Sequence, residues 1–189
     1  MGGTTRRKTE KMSDVGFRMM NLAFGIIDLV FPHVRKRIRR FGVCRGMTVV
    51  DYGCGPGRYA VELASVVGNE GVVYALDIHE LAIRSVENKI RKKKIKNIRT
   101  GMVTGHDDGK YDTHLPDNTA DLVCALDMFF IIKDPTAFLD EIARIMKDAG
   151  VVILDDGHQS REETRRKLGI SGRFKVVDET RDHLKCVPA

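Results

Sequence analysis

Tryptophan is absent, aromatic residues make up only 6% of the chain, and no apolar run is long enough to cross a bilayer. The longest such stretch, Leu22 to Phe31, spans about ten residues and is interrupted by Asp28, against the roughly 20 that a membrane helix needs. No apolar segment closely follows the basic start, so the sequence lacks the layout of a secretory signal and a cytoplasmic protein is expected. Cysteine is sparse, at positions 44, 54, 124 and 186, with no C-x-x-C pair. That spacing excludes a legible zinc site or disulfide framework; only a cluster formed on folding could serve a soft metal.

What is present describes one domain. Its 189 residues suffice for a single substantial core, and 42% hydrophobic with 31% charged residues is an ordinary soluble composition. The net charge of +6 is uneven, with basic clusters at Arg6 to Lys8, Arg35 to Arg40 and Arg91 to Lys96. Such runs suit nucleic acid, anionic lipid or a phosphorylated ligand. The third cluster closes a predicted helix, where cations are favoured, and has no interleaved aromatics to stack on bases. Nucleic acid is therefore the disfavoured partner.

Residues 1–12 read as a polar tail and 13–42 as a helical extension. Ser13 is a helix N-cap candidate. From there Asp14, Arg18, Asn21, Gly25 and Asp28 form one polar stripe, leaving a wide apolar face with Phe17, Met20, Phe24, Ile27 and Phe31 until Pro32 stops the helix. That face requires a cover: the domain itself, a second copy, a ligand or a membrane surface.

From 43 to 189 the pattern alternates. Strands are predicted at 47–52, 72–77, 98–103, 120–126, 150–155, 173–177 and 183–187, and helices near 57–67, 79–93, 135–147 and 160–168. Continuous apolar strands such as 121–126 and 151–154 belong in a sheet covered on both faces. The alternation predicts an α/β fold: a doubly wound, mostly parallel, seven-stranded Rossmann-like sheet with a C-terminal antiparallel hairpin. The hairpin follows from the short link 178–182, which is too brief for a parallel crossover.

The first strand of that sheet ends in Asp51-Tyr-Gly53-Cys-Gly55-Pro-Gly57. Ligands of doubly wound sheets bind beyond the carboxyl ends of the strands, and glycines there allow close backbone approach below a helix N-terminus. The dinucleotide pattern G-x-G-x-x-G requires glycine at 58, where arginine stands. An acid followed by G-x-G-x-G instead resembles the class I S-adenosylmethionine-dependent methyltransferases, and later segments agree in order. Val72 to Asp77 is a strand ending in an acid 20 residues after Gly57; Leu115-Pro116-Asp117-Asn118 precedes the fourth strand; Phe138 to Leu154 matches the family's fourth helix and fifth strand. The likeness covers about residues 43 to 187 and is nearest the small ubiquinone/menaquinone-biosynthesis-type members.

By that resemblance S-adenosylmethionine is the cofactor. Asp51, Gly53, Gly55 and Gly57 form its loop, Asp77 meets the ribose, Ile78 lies on the adenine, Asp107 or Asp108 meets the adenine amino group, and Ala125 and Leu126 lie near the methionine part. Where many relatives carry a His before Asp134-Pro135, this chain has Asp127-Met-Phe-Phe130-Ile-Ile. Methyl transfer from a sulfonium needs chiefly alignment and exclusion of water, with a base only for a protonated nucleophile. Asp127, after strand four, and His158, after strand five, are the catalytic candidates, a turn cap and an exposed loop residue being their plain structural alternatives. No metal is required. A small apolar or aromatic acceptor is expected; an RNA or protein acceptor, and a non-catalytic cofactor-binding protein of the same fold, remain as alternatives.

Overall fold

The computed structural model describes residues 11–30, 33–105 and 108–189, with backbone only over 24–30. The expected helix stop at Pro32, the side chains of Phe24, Ile27 and Phe31, and Asp107 lie outside the described residues. Helices α1 (Asp14–Val30) and α2 (His33–Ile38) precede the alternating region. There β1 (Thr48–Tyr52), α3 (Arg58–Val67), β2 (Val72–Asp77), α4 (Glu80–Lys93) and β3 (Ile98–Met102) build one half. The other half is β4 (Ala120–Ala125), α5 (Pro135–Ile145), β5 (Met146–Leu154), α6 (Arg161–Ser171), β6 (Phe174–Glu179) and β7 (Leu184–Pro188).

The seven strands run in the order β3-β2-β1-β4-β5-β7-β6. β1 to β5 are parallel, and β7 is antiparallel to both β5 and β6. The expected doubly wound sheet with its terminal hairpin is thus the observed fold. Strand order reverses between β1 and β4, which is where such sheets open a crevice.

Alternation along the strands feeds two cores. Val50, Tyr52, Val123, Ala125, Val152 and Leu154 pack on one side with Phe138, Leu139 and Ile142 of α5 and Leu168 of α6. Their neighbours Val49, Leu122, Cys124 and Ile153 face the other side with Ile38 of α2, Leu63 of α3 and Val86 of α4. Each such buried aliphatic contributes about 1.5–3 kcal/mol of transfer free energy, so Leu63→Ala would cost roughly 2–5 kcal/mol.

Two expectations change. The helix expected over 135–147 stops at Ile145, and β5 starts at Met146 instead of 150, because Thr119 donates to the Ile145 carbonyl (2.8 Å) and Ala120 pairs with Met146 before a register shift. Among the described side chains of α1, the apolar residues divide between a buried and an exposed side. Ser13 does cap the helix, its hydroxyl accepting from the Gly16 amide at 3.2 Å, and Phe17 is buried, but Val15, Met19 and Leu22 on the opposite side are exposed. Among the described residues no helix is long and apolar enough to cross a membrane.

Candidate functional site

The β1–α3 loop is held by the end of β2. The amides of Gly53 and Cys54 both donate to the Leu76 carbonyl, at 2.8 and 2.9 Å. Gly53 and Gly55 have φ of +75° and +49°, a region that L side chains avoid. A Cβ on Gly53 would meet Met128 at 2.9 Å, whereas one on Gly55 would project into open space, since nothing lies within 4 Å. That space is a cavity of about 650 Å³, within the usual range for small-molecule sites. Gly57 caps α3 without a side-chain hydrogen bond, and in the first turn of that helix the Ala60 amide donates to the Asp51 carboxylate.

Beside the loop, the Asp77 carboxylate is fixed from two directions. Oδ2 accepts from the Gly55 amide at 2.8 Å and Oδ1 from the His79 amide at 2.9 Å. Each oxygen keeps a further lone pair for a ligand. Burial raises the Asp77 pKa, and these amides oppose the shift. Under the loop, Asp51 is buried, one oxygen lacks a hydrogen-bond partner, and desolvation aided by the Asp77 charge pushes its pKa up to about 7. The Cys54 thiol is also pushed up by burial, so it is an unreactive wall residue.

His79 caps α4, its Nδ1 accepting from the Leu81 amide at 3.2 Å, which leaves Nε2 to carry the proton of a neutral ring. Phe17 of α1 stacks on that ring at 4.8 Å, and Asp14 approaches Nε2 at 3.5 Å. In this way α1 roofs the β2 side of the cavity.

The opposite side is assembled from distant segments. Half-buried Arg37 of α2 donates to the Tyr59 hydroxyl (2.6 Å), to Asp155 just after β5 (2.7 Å) and to the Asp182 carbonyl (2.6 Å). Asp155 also accepts from the Asp127 amide at 2.8 Å, which holds Asp127 at a φ of +56° with its side chain exposed. Burial and the nearby Asp127 charge raise the Asp155 pKa, while Arg37 opposes them. Burial likewise carries the Tyr59 phenol to about 12. His158 sits edge-on to Phe130 at 4.9 Å, and buried Lys167 of α6 grips the 129–131 turn by donating to the Phe129 and Phe130 carbonyls at 3.2 and 3.1 Å.

The cavity wall thus brings together Gly53, Gly55, Asp77, Ile78, Leu126, Asp127 and His158. It does not include Asp51, Gly57 or Ala125, which support the wall from behind, nor Asp108, which is exposed and turns its amide to the Gly105 carbonyl at 3.0 Å. Unanticipated wall residues are Arg37, Tyr59, Tyr111, His79 and Phe130. Asp155 could have been suspected, because it follows β5 as Asp51 and Asp77 end β1 and β2. Nothing in the sequence singles out Tyr111. Among the described residues no group of three or more His, Cys, Asp or Glu could hold a metal ion.

A family model for a methyltransferase domain matches residues 44–182. The chain belongs to that methyltransferase family. Its glycine loop, acid-ended second strand and seven-stranded sheet are those of the class I S-adenosylmethionine-dependent type. A methyltransferase from Aquifex aeolicus described as S-adenosylmethionine-dependent superposes with a TM-score of 0.81 at 24% identity, over 95% of this chain and all of that one. The demethylmenaquinone methyltransferase of Geobacillus kaustophilus is 29% identical over 116 residues, 61% of this chain and 47% of that protein. The ubiquinone/menaquinone biosynthesis C-methyltransferase UbiE of Shewanella sp. (strain W3-18-1) is 26% identical over 143 residues, 76% of this chain and 55% of that protein. This methyltransferase domain spans about half the length of these curated relatives.

Proposed function

We propose that this methyltransferase domain binds S-adenosylmethionine along the glycine loop and transfers its methyl group to a small apolar or aromatic acceptor. The observation that carries the reading is Asp77, whose carboxylate is oriented by the Gly55 and His79 amides at the mouth of the crevice between β1 and β4. An acid so held accepts two hydrogen bonds from the vicinal hydroxyls of a ribose. Ile78 offers an apolar surface beside it for the adenine, and the open space at Gly55 admits a ligand to the backbone. The cofactor when bound supplies an electrophilic sulfonium methyl and a neutral thioether leaving group.

The protein's part is alignment and exclusion of water. Phe17 and Met20 of α1, Met128 and the 130–132 segment enclose the cavity with apolar surface. Asp127 stands at its edge as acceptor of a proton from a phenol or hydroxyl nucleophile, and the Asp155 carboxylate positions it through its amide. His158 is the second candidate base, with its ring located by Phe130. An apolar or aromatic acceptor agrees with these walls and with the quinone-directed names of the relatives.

Thermal unfolding with S-adenosylmethionine, S-adenosylhomocysteine, NAD or buffer tests the reading. Ligand at 100 times its Kd adds about 2.7 kcal/mol, a rise on the order of 5–10 °C at this size. A rise with both sulfur nucleosides and none with NAD is expected. No shift with any of them, in folded protein free of copurified ligand, would leave the loop as a structural turn.

A further inference from the structure

The covered and uncovered faces of α1 differ in what they meet. Phe17 is 4% exposed against His79, whereas Met12 just before the helix and Val15, Met19 and Leu22 along it are 48%, 68%, 69% and 70% exposed. Val15, Met19 and Leu22 recur at steps of four and three along α1, and Met12 stands three residues before Val15, so the four form one apolar stripe whose first member lies at the cavity edge. Of the large apolar side chains strongly exposed among the described residues, only Ile131, Ile170 and Val177 lie elsewhere. Ile131 and Met12 both border the cavity, so the apolar surface continues from the stripe into the mouth.

Charge is partitioned in the same way. Residues 1–40 hold ten Lys and Arg against three Asp and Glu, a net +7, while the remaining 149 residues hold 22 against 23, a net −1. The positive excess of the protein is thus carried, in sequence, by the first 40 residues, the segment to which the stripe belongs. Arg35, Arg37 and Arg40 are paired with Glu62, Asp155 and Asp182. Arg18, Lys36 and Arg39 are exposed, and Lys36 borders the cleft that adjoins the cavity beside α2.

We infer that the α1 stripe is a docking surface for an anionic lipid bilayer. An exposed apolar helix face rimmed by cations inserts into the headgroup boundary, with attraction to acidic lipids adding to the burial of apolar area. A second copy fits less well, because pairing through this face would bring two +7 segments together. Among the described residues no Phe or Tyr side chain is strongly exposed, and RNA would use such groups as a stacking platform. An acceptor of the proposed apolar class would pass from the bilayer along Met12 and Ile131 to the cavity, although docking itself does not depend on that reading.

The test is cosedimentation of the full chain with vesicles of phosphatidylcholine alone and of phosphatidylcholine mixed with phosphatidylglycerol. Binding to the mixed vesicles, weakened by salt and lowered about tenfold or more in the double variant M19E/L22E, is expected. Lys36→Glu with Arg39→Glu lowers the same binding while leaving the apolar stripe intact. Neither pair of positions lines the cofactor half of the cavity, so the thermal shift with S-adenosylhomocysteine checks that each variant remains folded; loss of that shift in the unmodified chain would instead count against the proposed function. No binding to mixed vesicles, or binding that M19E/L22E leaves unchanged, overturns the inference. Sedimentation velocity showing a dimer that M19E/L22E dissociates would assign the stripe to a second copy and overturn it equally.

Discussion

Gly53, Gly55, Asp77 and Ile78 lie within 26 residues of one another at the carboxyl ends of two adjacent parallel strands, and the loop is held there by amides that donate to the Leu76 carbonyl and the Asp77 carboxylate at 2.8–2.9 Å. Across the cavity, Arg37, Asp127, Asp155 and His158 span more than a hundred residues, and the first three are joined through the Asp155 carboxylate, which accepts from Arg37 at 2.7 Å and from the Asp127 amide at 2.8 Å. One half of the cavity is a property of the sheet. The other is a tertiary assembly of loops and helix α2, held by the Arg37 guanidinium on Asp155 and by Lys167 on the 129–131 turn. In the proposed function the first holds the methyl donor and the second the acceptor, hence the donor half and the acceptor half.

Removing the guanidinium tests that separation most strongly. Arg37→Met leaves Asp155 buried beside Asp127 without its counter-charge, and stability should fall by about 3 kcal/mol in urea unfolding. Its affinity for S-adenosylhomocysteine, measured by calorimetry, should change far less. An equal loss in both would show that the halves are one unit. Asp77→Ala is the converse, expected to cost about 1–3 kcal/mol of S-adenosylhomocysteine affinity with little change in the folding of the acceptor side. Unchanged affinity would remove the ribose assignment.

A smaller effect concerns pH. An acid whose pKa is higher folded than unfolded holds its proton better in the folded state, so its stabilising contribution is lost as pH rises between the two values. For Asp51 that window runs from 3.8 to about 7. Asp51→Asn should therefore gain stability relative to the parent at pH 8, by about 1 kcal/mol or more, and gain far less at pH 4, near the lower end of the window. Urea midpoints at the two pH values measure it; an equal effect at both would mean that Asp51 does not titrate in this window. Least in size, Asp127→Asn removes a neighbouring negative charge, so the Asp155 carboxyl should titrate lower, as read by carboxyl NMR.

The donor half was legible because its determinants are local. Glycines at 53, 55 and 57 and acids at the ends of β1 and β2 carry their meaning at short spacing, and strand alternation places them at one edge of the sheet. The acceptor half was legible only in part. Asp127 and His158 were reachable as residues following strands four and five, but the side chains that fix them come from a basic run read as one cluster and from Lys167 in a helix with a polar sequence. The α1 face was legible as apolar, but a wide apolar surface states that something must cover it without stating how much the domain itself will cover.

By itself the sequence determined the alternation of strands and helices, the parallel sheet, the glycine loop and the acid at the second strand end. These are consequences of periodicity, backbone permissiveness and loop length, which act over a few residues. The tertiary structure alone decided that β7 inserts between β5 and β6, that Arg37 reaches Asp155 across 118 positions, and that α1 turns Phe17 onto His79 and leaves Met19 and Leu22 outside. Those outcomes depend on which buried charges find partners and which apolar areas meet once the chain is compact, and no local pattern encodes that choice.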